Sequence, residues 1–274
     1  MWGISMAVLH KEYFDGKSLS PSAIDQTILD YMETSCKEYY DEEISDDGRF
    51  QVWMQLSSLR TGLFSWYDFR KNAEVLEIGA GFGALTGILC EKCGHVWATE
   101  KLWHRAAAIA SRWEKKKNLD VYAGEWSKMN FGRKFDYVIL TGILEKACNG
   151  VADRRQYIDY IKNVLKLLKK DGILLVAVEN RLGLKYFCGA KGTYSRKAFE
   201  GINGYPNGGR GYTFSRQELN NIIKEAGFSQ LKFYYPLPDY KLPQIIYTDE
   251  YLPERNLKER LIPYYTDKNS LIVM

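Results

Sequence analysis

Histidine is scarce in this chain, which has only His10, His95 and His104 among its 274 residues. None of them directly follows a predicted strand, so a proton acceptor for catalysis would have to be a carboxylate. The five cysteines are odd in number, and Cys90 and Cys93 form the only closely spaced pair. Without a second pair they predict neither a metal site nor a disulfide framework, but reduced thiols typical of the cytoplasm.

A strong charge excess and long apolar runs are also missing. The 38 basic and 34 acidic residues leave a net charge of +4, whereas a nucleic-acid-binding protein is expected to carry a denser basic stripe. No apolar run approaches the roughly 20 residues that span a bilayer, and no basic segment precedes the apolar N-terminus as in a signal peptide. We therefore expect a cytoplasmic protein that does not bind nucleic acid.

One glycine-rich segment is the most informative feature that is present. Residues 75–86 read VLEIGAGFGALT, an apolar strand pattern followed by glycines and then by a helix pattern. Glycines at such a turn let the backbone approach a ligand without a Cβ in the way. The start of the helix adds unpaired N–H groups. The pattern predicts a nucleotide-type cofactor held by Gly79, Ala80, Gly81 and Gly83.

The spacing of these glycines distinguishes between cofactors. The dinucleotide fingerprint Gly-x-Gly-x-x-Gly/Ala is matched only loosely, because the glycines fall as Gly-x-Gly-x-Gly and Glu77 precedes them. A carboxylate gives no benefit beside a pyrophosphate, but it stabilises an ammonium or sulfonium group.

The segment closely resembles motif I of the class I (Rossmann-like) S-adenosylmethionine (SAM) dependent methyltransferases. The resemblance implies SAM as the cofactor, with Glu77 near its charged end. An NAD(P)-dependent oxidoreductase remains the alternative enzyme, and a non-catalytic SAM-fold partner protein is the alternative without activity.

The second predicted strand, 95–100, ends in Glu100, followed by Lys101. Glu100 lies 21 residues after Gly79 (100 − 79 = 21). In Rossmann-like sheets an acid at about this distance holds the ribose hydroxyls. We therefore place Glu100 and Lys101 in the cofactor site.

The loop after the third predicted strand contains Glu125 and Trp126. In the methyltransferase pattern this loop lies along the adenine. The resemblance thus implies that Glu125 accepts a hydrogen bond from the adenine amine and that Trp126 supplies a backbone N–H and an apolar wall. A surface loop with a core tryptophan is the alternative.

Two further strand ends are polar. The strand 135–141 ends at Thr141 and Gly142, and it resembles motif IV, whose exit loop lines the cofactor and acceptor pocket. The apolar run 173–178 predicts a strand buried on both faces, and Glu179 follows it. Because ligands of open α/β sheets bind outside the carboxyl ends of strands, we expect these groups near the substrate.

The chain as a whole predicts a helical cap at residues 1–70 and a SAM-binding domain at 71–274. Ser20 with Pro21 is expected to begin the first helix, and Leu59 is expected to face inward from the second. The domain is predicted to be a doubly wound, seven-stranded, mostly parallel sheet of strand order 3-2-1-4-5-7-6. Its last two strands are assigned to 231–235 and, antiparallel, to 271–274.

Two aromatic-rich insertions interrupt this pattern, near residues 182–214 and 236–268. Their rings can either stack on a sugar or an aromatic acceptor or form a second small core. The substrate-binding residues are predicted to be Asn180, Arg181, Tyr186 and Arg210, because arginine suits a phosphate or carboxylate.

Several segments resemble a bacterial subgroup of these methyltransferases that is associated with glycosyltransferases of surface polysaccharide synthesis. The resemblance implies a sugar or glycan-precursor acceptor, and fusion to or association with a glycosyltransferase. The subgroup has an acidic-His pair where residues 191–194 read KGTY, so Glu179 is our first candidate for a catalytic base and Glu145 the second. Alternatively, Glu179 orients Arg181 or holds the helix that follows.

Overall fold

The computed structural model describes residues 6–17, 19–35, 37–148, 153–208 and 210–252. The chain divides into two compact units. Unit 1 comprises Met1–Leu140, Leu167–Leu175 and Lys241–Pro243, and unit 2 comprises Thr141–Lys166, Val176–Tyr240 and Gln244–Met274.

Unit 1 is built around a parallel sheet. Its six strands are β1 (Val8–His10), β2 (Glu74–Ile78), β3 (His95–Glu100), β4 (Leu119–Ala123), β5 (Phe135–Thr141) and β6 (Leu168–Ala177), of which the last residues of β5 and β6 fall in unit 2. They lie in the order β1-β4-β3-β2-β5-β6. The pairs β1/β4, β3/β4, β2/β3 and β2/β5 are parallel, and the register sets Glu77 of β2 beside Ala98 and Ile139.

The predicted order 3-2-1-4-5 is confirmed in β4, β3, β2, β5 and β6, but the predicted count of seven strands is wrong. The sixth strand of the described sheet is β1, in a segment predicted to be helical. The strand predicted at 231–235 is β7 (Tyr234–Leu237), which pairs antiparallel with β8 (Ile245–Thr248) in a separate sheet. Such a local hairpin closes only a short loop, which costs little entropy. Residues 271–274 lie outside the described residues.

The helices of unit 1 are α1 (Ala23–Thr34), α2 (Phe50–Leu56), α3 (Thr86–Lys92) and α4 (Trp103–Arg112). α1 begins later than predicted, because the side chain of Ser22 accepts from the Asp25 backbone N–H and caps it. α2 stops at Leu56, where Ser57 is extended and its hydroxyl accepts from Leu59 N–H at the start of a 3-10 turn. The prediction that Leu59 faces inward is therefore wrong, since it is exposed.

β6 is longer and less buried than the predicted strand at 173–178. It starts at Leu168 and passes through Gly172, where a Cβ would lie 2.9 Å from both Leu168 Cδ2 and Phe135 O. β6 comes last in the strand order, so in the described sheet it has one neighbouring strand, and its residues from Gly172 onward are half-buried.

Unit 2 contains α5 (Arg154–Leu165), α6 (Leu184–Phe187), α7 (Arg216–Glu225) and the hairpin of β7 and β8. Ser215 and Glu218 form a capping box at the start of α7. Part of the aromatic insertion packs against Tyr157 of α5 in a small core, to which it contributes Tyr205, Tyr212 and Phe214. The ring centroids of this core lie 5.0–6.0 Å apart. No described helix is long and apolar enough to cross a membrane.

Candidate functional site

The glycine loop between β2 and α3 has the backbone that its sequence requires. Gly79, Gly81 and Gly83 have φ angles of 72°, 64° and 75°, in the left-handed region where other residues are strained. The N–H groups of Gly79 and Ala80 donate to Thr99 O at 2.9 and 3.0 Å. The loop is thereby fixed to the end of β3.

Glu100 at the end of β3 also holds this loop. One carboxylate oxygen accepts from Gly81 N–H at 2.9 Å, and the other accepts from Leu102 N–H at 3.0 Å. The side chain is buried, and this burial raises its pKa despite those hydrogen bonds. A carboxylate oxygen can accept more than one hydrogen bond, so the predicted contact with a ribose is compatible with this role.

Glu77 is buried within β2, where its carboxylate accepts from the Thr86 hydroxyl at 2.6 Å. Burial raises its pKa to about 7, although the hydrogen bond from Thr86 and the positive charge of Arg60 lower it. A substantial fraction of Glu77 is therefore protonated near neutral pH. Its contact with the charged end of the cofactor stays a prediction.

The predicted adenine side of the site is also in unit 1. Lys101 Nζ lies 3.1 Å from Glu125 Oε2, and both side chains reach solvent. Trp126 is half-buried and begins a 3-10 turn. The segment after β1 crosses this loop, because a Cβ on Gly124 would lie 2.4 Å from Tyr13 O. That crossing explains the glycine at position 124.

The residues around the glycine loop fit SAM better than a dinucleotide. Two buried carboxylates, Glu77 and Glu100, flank the loop. An acid at the place of Glu100 suits the ribose of either cofactor, whereas a carboxylate at Glu77 complements an ammonium or sulfonium and would repel a pyrophosphate. The fit therefore follows from the charge of the donor set as well as from the glycine spacing.

Arg112 and Trp113, at the end of α4, support the loop from behind, and sequence reasoning missed both. The buried Arg112 guanidinium donates to Glu38 O at 2.7 Å, Gln55 O at 2.8 Å and Phe82 O at 3.1 Å. Its burial lowers its pKa to about 10, so it remains charged at neutral pH. It therefore ties α2 and the preceding segment to the glycine loop.

The Trp113 indole donates to Gly83 O at 2.8 Å. It also fills the space that a Cβ would need at Gly83 and at Gly87. The available signal was the pair of glycines four residues apart at the start of a helix, since a helical glycine indicates close approach of another group.

The three histidines contact aspartates of unit 1 and neither of the two glutamates beside the glycine loop. His10 and His95 contact the two oxygens of Asp120 at 2.8 and 2.7 Å, and His104 contacts Asp25 at 2.9 Å. The first two contacts join neighbouring strands of the sheet, and the third joins α4 to α1. The observed contacts of all three histidines are structural.

Thr141 and Gly142 belong to unit 2. Gly142 has a φ of 67°, its N–H donates to Ala177 O at 2.9 Å, and a Cβ there would lie 2.7 Å from the Tyr240 hydroxyl. The Thr141 hydroxyl oxygen is buried and has no hydrogen-bond partner among the described residues. It is therefore a spare polar group at the end of β5.

Glu145 and Glu179, the candidate bases, form one buried cluster in unit 2. Glu145 Oε1 accepts from Glu179 N–H at 3.0 Å. The Glu179 carboxylate accepts from the Tyr186 hydroxyl at 2.5 Å and from the Thr193 hydroxyl at 2.8 and 2.9 Å. Their side chains are almost fully buried. These contacts match the alternative in which Glu179 holds the helix that follows it.

The predicted substrate residues are not all brought together. Arg181 donates to the Tyr212 hydroxyl at 2.7 Å and pairs with Glu218 at 2.8 Å. Arg181 and the buried Tyr186 line one small cavity, to which neither Asn180 nor Arg210 contributes. Asn180 instead accepts from Leu182 N–H in a local turn, and Arg210 is exposed.

The chain belongs to the methyltransferase-domain family, whose sequence model matches residues 50–232. It is therefore a SAM-dependent methyltransferase, and the predicted enzyme class and cofactor are confirmed. This family favours methyl transfer over the dinucleotide oxidoreductase and over a partner protein without activity. No curated protein sequence matches the chain.

Solved structures share the fold at low identity. A Nostoc punctiforme protein described as an O-methyltransferase has a TM-score of 0.52 at 14% identity, over 83% of this chain and 61% of its own. The chain thus spans about three fifths of that relative. The complex of the Haloferax volcanii Trm112 methyltransferase activator with a methyltransferase has a TM-score of 0.51 at 13% identity, over 81% of this chain and 82% of that one. The CcbJ methyltransferase of Streptomyces caelestis has a TM-score of 0.50 at 14% identity, over 76% of this chain and 93% of its own.

Proposed function

We propose that the protein transfers a methyl group from SAM to an oxygen or nitrogen atom of a small-molecule acceptor of the sugar or glycan-precursor class. When bound, SAM supplies an electrophilic methyl group on a sulfonium. The chain's own task is to orient the acceptor, and orientation alone can remove about 7–11 kcal/mol from a barrier. The acceptor is assigned to unit 2, whose chemistry supports this class.

The observation that carries the proposal is the lining of the small cavity in unit 2. It combines two cations, one carboxylate, several aromatic rings and a hydroxyl, and its lining includes Arg181, Lys197, Glu200, Phe199, Tyr186, Tyr205 and Thr213. The Glu200 carboxylate is engaged by Asn207, whose backbone and side-chain N–H groups both donate to it. Cations suit a phosphate, and aromatic faces suit the apolar face of a sugar. A sugar phosphate or nucleotide-linked sugar combines both features.

Arg181 is the residue most suited to an anionic acceptor in this lining. Its terminal nitrogens are oriented by Tyr212 and Glu218. Its Nε is buried without a hydrogen-bond partner in the described part of the chain, which leaves one fixed donor to spare. The enclosed space is only about 10 Å³, enough for one water. The exposed side chain of Phe199 therefore has to move aside for the acceptor.

We further propose that Glu179 and Glu145 position the insertion and do not take the acceptor's proton. A base needs an oxygen within hydrogen-bond reach of that proton, whereas the Glu179 carboxylate is engaged by Tyr186 and Thr193. Reaction would then depend on alignment by fixed residues. Association with a glycosyltransferase rests on the sequence resemblance alone.

The test is methyl transfer from labelled SAM to a panel of sugar phosphates, nucleotide sugars, aromatic acids and amines. We expect label in the sugar compounds. Lys197→Ala should raise the acceptor KM with little change in kcat, and Lys224→Ala, an exposed lysine of α7, serves as the control. Label only in amines or aromatic acids, or an equal effect of both substitutions, would refute the proposed acceptor class.

A further inference from the structure

We propose that Gln55 of α2 binds the methionine end of SAM and that Arg112 is its positioning residue. The proposal rests on SAM being the cofactor. Its starting point is Gly81, in the middle of the glycine loop. A Cβ at Gly81 would lie 3.1 Å from Gln55 Oε1 and 3.5 Å from Gln55 Nε2. A polar amide from the N-terminal helices therefore stands against the loop.

The Gln55 amide has hydrogen-bonding capacity to spare. Its oxygen accepts from Phe82 N–H at a long 3.4 Å. Its nitrogen has no hydrogen-bond partner within the described residues, and the side chain is half-buried. A primary amide both donates and accepts. That combination can meet the carboxylate and the ammonium of an amino-acid group at the same time.

The strand order indicates which end of the cofactor lies here. Glu125 follows β4 and is predicted to hold the adenine, and Glu100 at the end of β3 is predicted to hold the ribose. Because β4, β3 and β2 are consecutive neighbours in the sheet, the remaining part of the cofactor falls at β2. Gly81 lies on the loop that leaves β2. The part that Gln55 reaches is therefore the methionine group.

Arg112 fixes the distance between Gln55 and the loop. Its Nη1 donates both to Gln55 O at 2.8 Å and to Phe82 O at 3.1 Å. One buried guanidinium thus joins the backbone of Gln55 to the residue that follows Gly81. A lysine there would keep the charge but lose the forked donors.

The experiment compares Gln55→Leu with Gln51→Leu, an exposed glutamine one turn earlier in the same helix. Calorimetry would measure binding of S-adenosylhomocysteine (SAH) and of 5′-methylthioadenosine, which lacks the amino-acid group. We expect Gln55→Leu to weaken SAH about ten- to a hundredfold, as for a hydrogen bond to a charged group. Binding of 5′-methylthioadenosine should stay within twofold, and Gln51→Leu should bind both ligands normally.

Unchanged SAH binding in Gln55→Leu, or equal weakening of both ligands, would overturn the inference. If the parent protein failed to bind SAH at all, the cofactor assignment itself would fall. Gln55→Met provides a second test should the leucine variant not fold, because methionine keeps the length of the side chain but lacks the amide donors and acceptor, and it should weaken SAH alone. Arg112→Lys should weaken SAH more than 5′-methylthioadenosine, whereas a purely structural role would lower only the melting temperature.

Discussion

Two buried acids at strand ends, Glu100 in unit 1 and Glu179 in unit 2, are held in different ways. Glu100 accepts from the backbone N–H groups of Gly81 and Leu102. Glu179 accepts from the hydroxyl groups of Tyr186 and Thr193. Backbone donors are available whatever the side chains are, whereas hydroxyl donors require particular residues. The first arrangement is compatible with a cofactor loop, and the second ties the end of β6 to the insertion that follows it.

The largest expected effect is on the glycine loop. Gly81→Val should abolish SAH binding, because valine at a φ of 64° is strained and its side chain would meet Gln55 and the cofactor. Gly132→Val is the matched control, since Gly132 has a φ of 61° with nothing within 4 Å of its Cβ position. Calorimetry and circular dichroism should show both variants folded and only the second binding. SAH binding by Gly81→Val would contradict the assigned loop.

Glu100→Ala should have the next largest effect. We expect it to remove a charge-assisted hydrogen bond to the ribose, worth roughly 1.5–3 kcal/mol, or about ten- to a hundredfold in Kd. Calorimetric titration with SAH measures this directly. If the variant binds SAH as tightly as the parent, Glu100 holds only the loop backbone. Glu100 and Glu179 would then both be structural residues, and their contrast would not concern cofactor binding.

The core of the fold and the cofactor loop could be predicted because their signals are local. Residues 75–86 contain strand, glycines and helix start within twelve positions, and the acids follow adjacent strands. Arg112 could not be predicted, since its carbonyl partners lie 30 to 74 residues away and any residue supplies a carbonyl. β1 was missed because three residues carry too little periodicity to indicate a strand.

The insertion was harder to interpret for a different reason. An aromatic ring has the same sequence signal whether it packs in a core or stacks on a ligand. Tyr205 and Phe214 are buried, while Phe187 and Phe199 are about half exposed. Burial, which decides between the two roles, depends on tertiary contacts that no short pattern contains.

A smaller effect is expected from pH. Burial raises the pKa of Glu77 from its ordinary value of 4.5 to about 7. In the unliganded protein, Glu77 therefore lowers the free energy of unfolding as the pH rises from about 4.5 towards 7. A cationic cofactor group favours the ionised carboxylate, so binding releases a proton and affinity increases with pH. We expect roughly a tenfold gain in SAH affinity between pH 6 and 8, measured by calorimetry. A gain of the same size in Glu77→Gln would assign it to another group.

The smallest effect on cofactor binding is expected in unit 2. Glu179→Gln and Tyr186→Phe should each lower the free energy of unfolding by about 1–3 kcal/mol, because a buried partner loses its hydrogen bond. SAH affinity should stay within a few-fold. Hydrogen exchange should become faster at residues 184–193 but not at 79–83. A large loss of SAH affinity would show that Glu179 serves the cofactor and would remove the contrast with Glu100.

The central claim is that the loop at residues 79–83 binds SAM, and one titration tests it most directly. The parent protein is titrated with SAH and, separately, with NAD, and its melting temperature is measured with each. We expect SAH to bind and to stabilise the protein by about 2.7 kcal/mol at a hundredfold excess over Kd, while NAD has no effect. Binding of NAD without binding of SAH at millimolar concentration would contradict the account.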